Sequence, residues 1–220
     1  MRKRIDRRPE AIIFDFDGVI LDSARVKTMA FASCYEGEDE CDIKCVIDYQ
    51  ERHGGIGRRQ KFEYFEEHVF GRSVDARRID DLCDRFASII DNAMIEAPFV
   101  KGAKELLEHL HGRVSLHLVS GMPELDLKLV LEHRGLAQYF ASVAGSPKTK
   151  IDEFCRILES EGCTSAEVLA VGDSRTEFEA AVKLGIPFVA VVAPDAPDFF
   201  PPETVRCRDL TEFVTLVPLA

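Results

Sequence analysis

The chain has no CxxC pair, no histidine cluster at zinc-binding spacing, and no apolar run approaching the roughly 20 residues of a membrane-spanning helix. Its seven cysteines, at 34, 41, 45, 83, 155, 163 and 207, are odd in number and scattered. That pattern speaks against a disulfide framework or a thiolate metal site, and for free thiols in a reducing compartment. Positive charge is also short. Lys and Arg number 28 against 39 Asp and Glu, a net charge of -11, which argues against a general nucleic-acid surface or an anionic membrane as partner. An anionic substrate must then be drawn by a local arrangement. Internal repeats and low-complexity segments are absent. The opening MRKRIDRRPE has the charge of a signal-peptide n-region, but Asp15 and Asp17 interrupt the apolar segment after it and no cleavage site appears. The expectation is a soluble cytoplasmic protein, monomer or homodimer, with a small-molecule partner.

What is present is a set of short apolar runs: AIIFDFD, VSLHLVSG, FASVAGS, EVLAVGDS and PFVAVVAP. Between the later ones lie helical patterns at 103–112, 123–134, 150–161 and 176–184, with apolar residues at i, i+3 and i+4, as in Phe154, Ile157 and Leu158. Pro123 suits a first helical turn, and Gly135 and Gly185 suit helix ends. Near-continuous apolar strands alternating with amphipathic helices predict an α/β fold with a doubly wound, mostly parallel sheet. Residues 24–97 break the rhythm: charged, helix-rich and without a convincing strand. The reading is a core of residues 1–22 and 98–220 with an α-helical domain inserted at 23–97.

The stretch AIIFDFDGVILDS poses the chemical question. It carries Asp15 and Asp17 where a strand leaves the core, and a buried carboxylate must take up a proton or meet a cation. In open parallel sheets, ligands collect at the carboxyl ends of the strands. Four such ends carry Asp15-Phe16-Asp17-Gly18, Ser120-Gly121, GSPKTK with Lys148 and Lys150, and GDSRTE with Asp173 and Glu177. Gathered at one edge, Asp15, Asp17, Asp173 and Glu177 bring four carboxylates, one of which the others would keep protonated. The rest balance one Mg²⁺ and one lysine, and the all-oxygen donor set points to magnesium rather than zinc or copper.

These four segments, in order, resemble the motifs of the haloacid dehalogenase-like (HAD) superfamily. FDFDGVILDS is similar to its DxDGxxxDS, LHLVSG to the strand ending in Ser or Thr, a lysine near 150 to the third motif, and VGDSRTEFEAA to GDxxxD, with Glu177 where Asp is usual. The helical insertion matches the position of a C1-type cap, as in the branch of phosphoglycolate phosphatases and β-phosphoglucomutases. The resemblance implies a Rossmann-like core and a Mg²⁺-dependent phosphatase of a small phosphorylated metabolite; the alternatives are a phosphomutase and a non-catalytic phosphate-accepting or ligand-binding module. It implies Asp15 as the nucleophile that forms an aspartyl-phosphate, and Asp17 as acid and then base. Asp15, Asp173, the Asp17 carbonyl and, at the edge, Glu177 would hold the metal, and Ser120 and the Gly121 amide the phosphoryl oxygens. Gly18 would contribute to the same phosphate site.

The lysine stays open between Lys148, in KPxPD-like spacing, and Lys150, at the head of a helix capped by Thr149 and Asp152. In the insertion, HGGIGRRQKF offers a glycine turn with Arg58, Arg59 and Lys61 as anion-binding side chains; Arg58 and Lys61 are the substrate-binding candidates, and His53 is undecided.

Overall fold

The apolar runs become the strands of one sheet in the computed structural model, which describes residues 3–194 and 196–219. Six strands, β1 (Ala11–Phe14), β2 (Ser115–Pro123), β3 (Ser142–Ser146), β4 (Val168–Gly172), β5 (Phe188–Val191) and β6 (Val205–Cys207), lie in the order β3-β2-β1-β4-β5-β6. Every pairing is parallel. The sixth strand has no counterpart among the apolar runs, because three residues are too few to show a period.

β1 is central, and its side chains alternate between two cores. Ile12 and Phe14 join one apolar cluster and Ala11 and Ile13 the other. Burial on both faces is why this strand reads as an unbroken apolar run. α7 (Lys150–Glu161) and α8 (Arg175–Leu184) cover one face, through Phe154, Ile157, Ala180 and Ala181. α5 (Ala103–Leu110) and the short α9 (Phe213–Leu216) supply Leu106, Leu107, Phe213 and Leu216 to the other. The 150–161 helix has the bounds its sequence predicts, and its cap is the expected one: the Thr149 hydroxyl donates to Asp152 Oδ2 at 2.6 Å and accepts from the Asp152 N–H. Pro123 differs from expectation. It ends β2, and α6 starts one residue later (Glu124–His133), because the strand runs on past Gly121 through a register shift between Val119 and Pro123.

Residues 24–96 hold α1 (Ala24–Ser33), α2 (Glu40–Arg52), α3 (Arg58–Tyr64), a π-helical turn (Phe65–Val69) and α4 (Ala76–Glu96). The chain enters and leaves this helical insertion side by side. Leu21 bridges Phe99 antiparallel, Asp22 N–H donates to Pro98 O at 2.9 Å, and Val100 N–H to Ile20 O at 3.0 Å. Inside it, Phe31 meets Phe86 with ring centroids 4.3 Å apart, and Phe62, Phe65 and Tyr35 close the aromatic cluster. This cluster is continuous with the sheet's apolar face through residues such as Ile90, Met94, Met122 and Leu127. The insertion thus packs on the carboxyl edge of the sheet rather than standing off it. None of the described helices is long and apolar enough to cross a membrane.

Candidate active site

β1 ends at Phe14, and the next residue, Asp15, is pinned to the sheet edge by its N–H bond to Val171 O of β4 at 2.9 Å. The chain then turns tightly, with the Ile20 and Leu21 N–H groups donating to Phe16 O at 2.8 and 3.0 Å. Gly18 takes a left-handed conformation in that turn (φ 72°), and a Cβ there would fall on the Asp173 carboxylate. Its N–H donates to Leu21 O at 2.7 Å. Gly18 therefore lets the turn approach Asp173, but its amide is spent within the turn rather than offered to a ligand.

Lys150, at the first position of α7, reaches under this turn. Its Nζ lies 2.6 Å from Asp15 Oδ1 and 2.6 Å from Glu177 Oε1, and it donates to Val119 O as well. All three ammonium protons are thereby used. Asp15 and Glu177 are 5 % and 1 % exposed. Asp15, Asp173 and Glu177 each bring a carboxylate oxygen within 4.8 Å of the others. Burial, helped by Glu177 and Asp17 and opposed by Lys150, pushes the Asp15 carboxyl from 3.8 up to about 7. Burial, with Asp15 and Glu177 adding, likewise drives Asp173 well up. Mutual repulsion is thus secondary to desolvation here. At Glu177 burial also acts upward, but the Lys150 ammonium and the Ser174 hydroxyl outweigh it and hold that carboxyl low. Burial acts downward on Lys150, and Asp15 and Glu177 outweigh it, so its affinity for the proton is raised. One lysine among two buried carboxylates and the half-buried Asp173 leaves negative charge in excess when all three are ionised. A hard divalent cation relieves that excess, and the all-oxygen donor set fits Mg²⁺.

Asp17 is turned away from this cluster. Oδ1 accepts from Ser23 Oγ at 2.6 Å, and Oδ2 is paired with Lys27 Nζ. Ser23 heads α1 yet makes no cap bond with its side chain, because its hydroxyl is committed to Asp17. Sequence reasoning missed Lys27. The available signal was its spacing, four residues after Ser23 on the first helix after Asp17, which puts both on one face.

Ser120 is buried where β2 loses register with β3, and its Oγ accepts from Met122 N–H at 3.1 Å. Beside it, a Cβ on Gly121 would stand 2.7 Å from Gly55 O. On Gly55, a Cβ would strike Ser174 and Thr176. The glycine loop of the insertion therefore lies directly on the sheet edge, backbone against backbone. Under it is a cavity of about 50 Å³ whose lining includes Asp15, Asp17, Lys27, Gln50, Lys61 and Asp173. A wider cleft of about 1070 Å³ opens beyond Gly55 and Gly57 toward Ser120 and Lys150.

The remaining expected residues divide. Lys61 reaches the cavity: Nζ donates to Gln50 Oε1 at 2.6 Å and Gly54 O at 2.9 Å, and burial, with repulsion from Lys27, pushes it down to about 7. Arg58 lines the cavity too, but its guanidinium is engaged across the interface with Asp126 Oδ2 of α6 at 2.7 Å. Arg59 pairs with Asp80 on the insertion itself. His53 ends α2 and stacks on Tyr49, ring centroids 4.1 Å apart. Lys148 is turned outward to Glu124 Oε2 at 2.6 Å, so the geometry brings Lys150, and not Lys148, to Asp15.

Residues 12–191 match the haloacid dehalogenase-like hydrolase family, and the chain belongs to it. A phosphoglycolate phosphatase from Synechococcus elongatus is 29 % identical over 190 residues, covering 83 % of both chains. Among solved structures, CbbY from Rhodobacter sphaeroides, determined in complex with phosphate, superposes with a TM-score of 0.75 at 17 % identity, covering 93 % of this chain and 96 % of that one. YfnB from Bacillus subtilis, bound to magnesium, gives 0.73 at 17 %, covering 97 % and 100 %. These two likenesses establish the fold.

Proposed function

We propose that the chain is a Mg²⁺-dependent phosphatase that cleaves a small phosphate monoester of the phosphoglycolate kind, with residues 23–97 serving as its cap. The observation that carries this reading is the convergence of Asp15, Asp173 and Glu177 on one another and on Lys150 at the carboxyl edge of β1 and β4. Asp15, the Asp17 carbonyl, Asp173 and Glu177 would hold Mg²⁺, which when bound offsets charge on the phosphoryl oxygens. An Asp15 oxygen attacks phosphorus as the bond to the ester oxygen breaks, giving an aspartyl-phosphate. Asp17 hands a proton to the departing oxygen, then takes one from the water that hydrolyses the intermediate to free phosphate. To do so Asp17 must give up its bond from Ser23 or Lys27, since both of its oxygens are accepting. Lys150 orients Asp15, and Ser120 with the Gly121 amide stands at the phosphoryl position, where preorganised donors stabilise spreading charge. The name of the Synechococcus elongatus relative supports the substrate class.

The test is phosphate release from a panel of phosphorylated metabolites with Mg²⁺ or EDTA, on wild type and Asp15→Asn. Release is expected only from wild type with the metal. Release that survives in Asp15→Asn, or in EDTA, would sink the mechanism. Conversion of a hexose 1-phosphate to its 6-phosphate without release would replace it with the mutase reading.

A further inference from the structure

The insertion shows two lysines to the cavity that holds Asp15, Asp17 and Asp173. Lys27 has a counter-charge, Asp17. Lys61 does not. It is 2 % exposed, and its partners are the Gln50 amide oxygen, the Gly54 carbonyl and the Phe31 ring, whose centroid is 5.3 Å away. Among the described residues it makes no ion pair. An ammonium carries three protons, and only two are placed on oxygens. A buried cation satisfied by neutral groups alone keeps most of its desolvation cost, and an arriving anion would remove it. Lys27 stands close enough to repel Lys61, and Asp17, Asp173 and Glu177 act on it from the sheet edge. The cavity is thus acidic on the side of the sheet and basic on the side of the insertion.

On the phosphatase reading the phosphoryl group is met from the sheet edge, by a metal that Asp15 and Asp173 would hold and by Ser120 with the Gly121 amide. The basic side needs a second negative charge. We infer that Lys61, with Lys27 beside it, receives a carboxylate of the substrate, so that the preferred ester carries that carboxylate a short chain away from phosphorus. Lys61 and Lys27 line one small cavity together with Asp15, Asp17 and Asp173, so the carboxylate and the phosphoryl group must lie close together. The inference rests on the phosphatase reading and adds to it the residue that selects the substrate.

Two esters of equal length separate the effects: 2-phosphoglycolate and ethyl phosphate. Wild type is expected to favour the carboxylate ester in kcat/KM by about tenfold to a hundredfold, mostly through KM, the scale of one hydrogen bond to a charged group. Lys61→Met should bring that ratio to within about threefold of unity, and Lys27→Met should lower it in part. Methionine in place of a buried charge is compatible with folding, and Lys61→Gln repeats the test with a polar side chain. A wild-type ratio near one, or a ratio that Lys61→Met and Lys61→Gln leave intact, overturns the inference, because a merely structural lysine would depress both esters alike. Binding is read in parallel by calorimetry on Asp15→Asn with Mg²⁺. There, adding Lys61→Met should weaken 2-phosphoglycolate about tenfold relative to ethyl phosphate. An unchanged relative affinity overturns the inference. If wild type hydrolyses no ester, the phosphatase reading falls, and this binding comparison still decides the role of Lys61.

Discussion

The two walls of the cavity are built on different principles. The sheet wall takes Asp15, Asp17 and Asp173 from segments next to the carboxyl ends of parallel strands; Asp15 and Asp173 cluster within 4.8 Å, and Asp15 and Asp17 are ion-paired with Lys150 and Lys27. The insertion wall takes Lys27 and Lys61 from two separate helices, and among the described residues Lys61 is held by neutral groups alone. In the proposal the first wall would take a cation and a phosphoryl group, and the second an anion. On the proposed reading, chemistry falls to the sheet wall and choice of substrate to the insertion wall.

The largest effect that tests this division falls on the sheet wall. Asp15→Asn should lower phosphate release by at least about 10³-fold on every ester, as removal of a covalent nucleophile does. A loss confined to one ester would erase the division between the walls. Next comes the lysine. Lys150→Met should cost about 3–5 kcal/mol of stability in denaturant titrations, because Asp15 and Glu177 would be left buried without their cation. Lys148→Ala, at an outward residue paired with Glu124, should stay within about 1 kcal/mol and keep most of the activity.

The pH dependence of stability in chelator should have opposite slopes for the two walls. Asp15 has a folded-state pKa of about 7 against an ordinary 3.8, so its favourable contribution is present below pH 3.8 and is lost as pH rises through about 7. Lys61 has about 7 against 10.5, so its penalty is full below pH 7 and is relieved as pH climbs toward 10.5. Denaturant midpoints should therefore fall between pH 4 and 7 and rise above 7 for these groups, with Asp15→Asn flattening the first limb and Lys61→Met the second. Mg²⁺ should abolish the first limb in wild type, since the cation holds the carboxylates ionised. The smallest effect is expected at the seam. Asp126→Asn, which weakens the bond from Arg58, should cost about 0.5–1 kcal/mol, given that Asp126 is one-third exposed. Its effect on kcat/KM should be equal for charged and neutral esters, whereas a selective effect would assign Arg58 to the substrate and not to the seam.

The succession of strand, acid and turn was legible because it is local. Period-two burial in AIIF, the continuous apolar runs and the T-x-x-D cap of α7 each depend on neighbours along the chain, and they place Asp15, Ser120, Asp173 and Lys150 at strand ends before any packing is known. Three things were not local. The choice between Lys148 and Lys150 turned on how the loop before α7 lies: it carries Lys148 out to Glu124 and brings the first residue of the helix to Asp15. The fate of Gly18, its amide spent on Leu21, depended on how the turn after β1 closes. The engagement of Arg58 with Asp126 joined residues 68 apart in the chain.

What the sequence by itself determined is the acidic machinery at the edge of a doubly wound sheet, since alternation, spacing and capping act over a few residues. What only the tertiary structure decided is the opposite wall. Lys27 and Lys61 meet the carboxylates because the aromatic cluster of the insertion docks on the sheet's apolar face, and that contact presses a glycine loop onto Gly121. Burial then leaves Lys61, among the described residues, with neutral hydrogen-bond partners alone and a pKa pushed down to about 7. HGGIGRRQKF offers Arg58 and Lys61 alike as substrate-binding candidates, and what separates them is where each side chain comes to rest, Arg58 on Asp126 and Lys61 in the cavity.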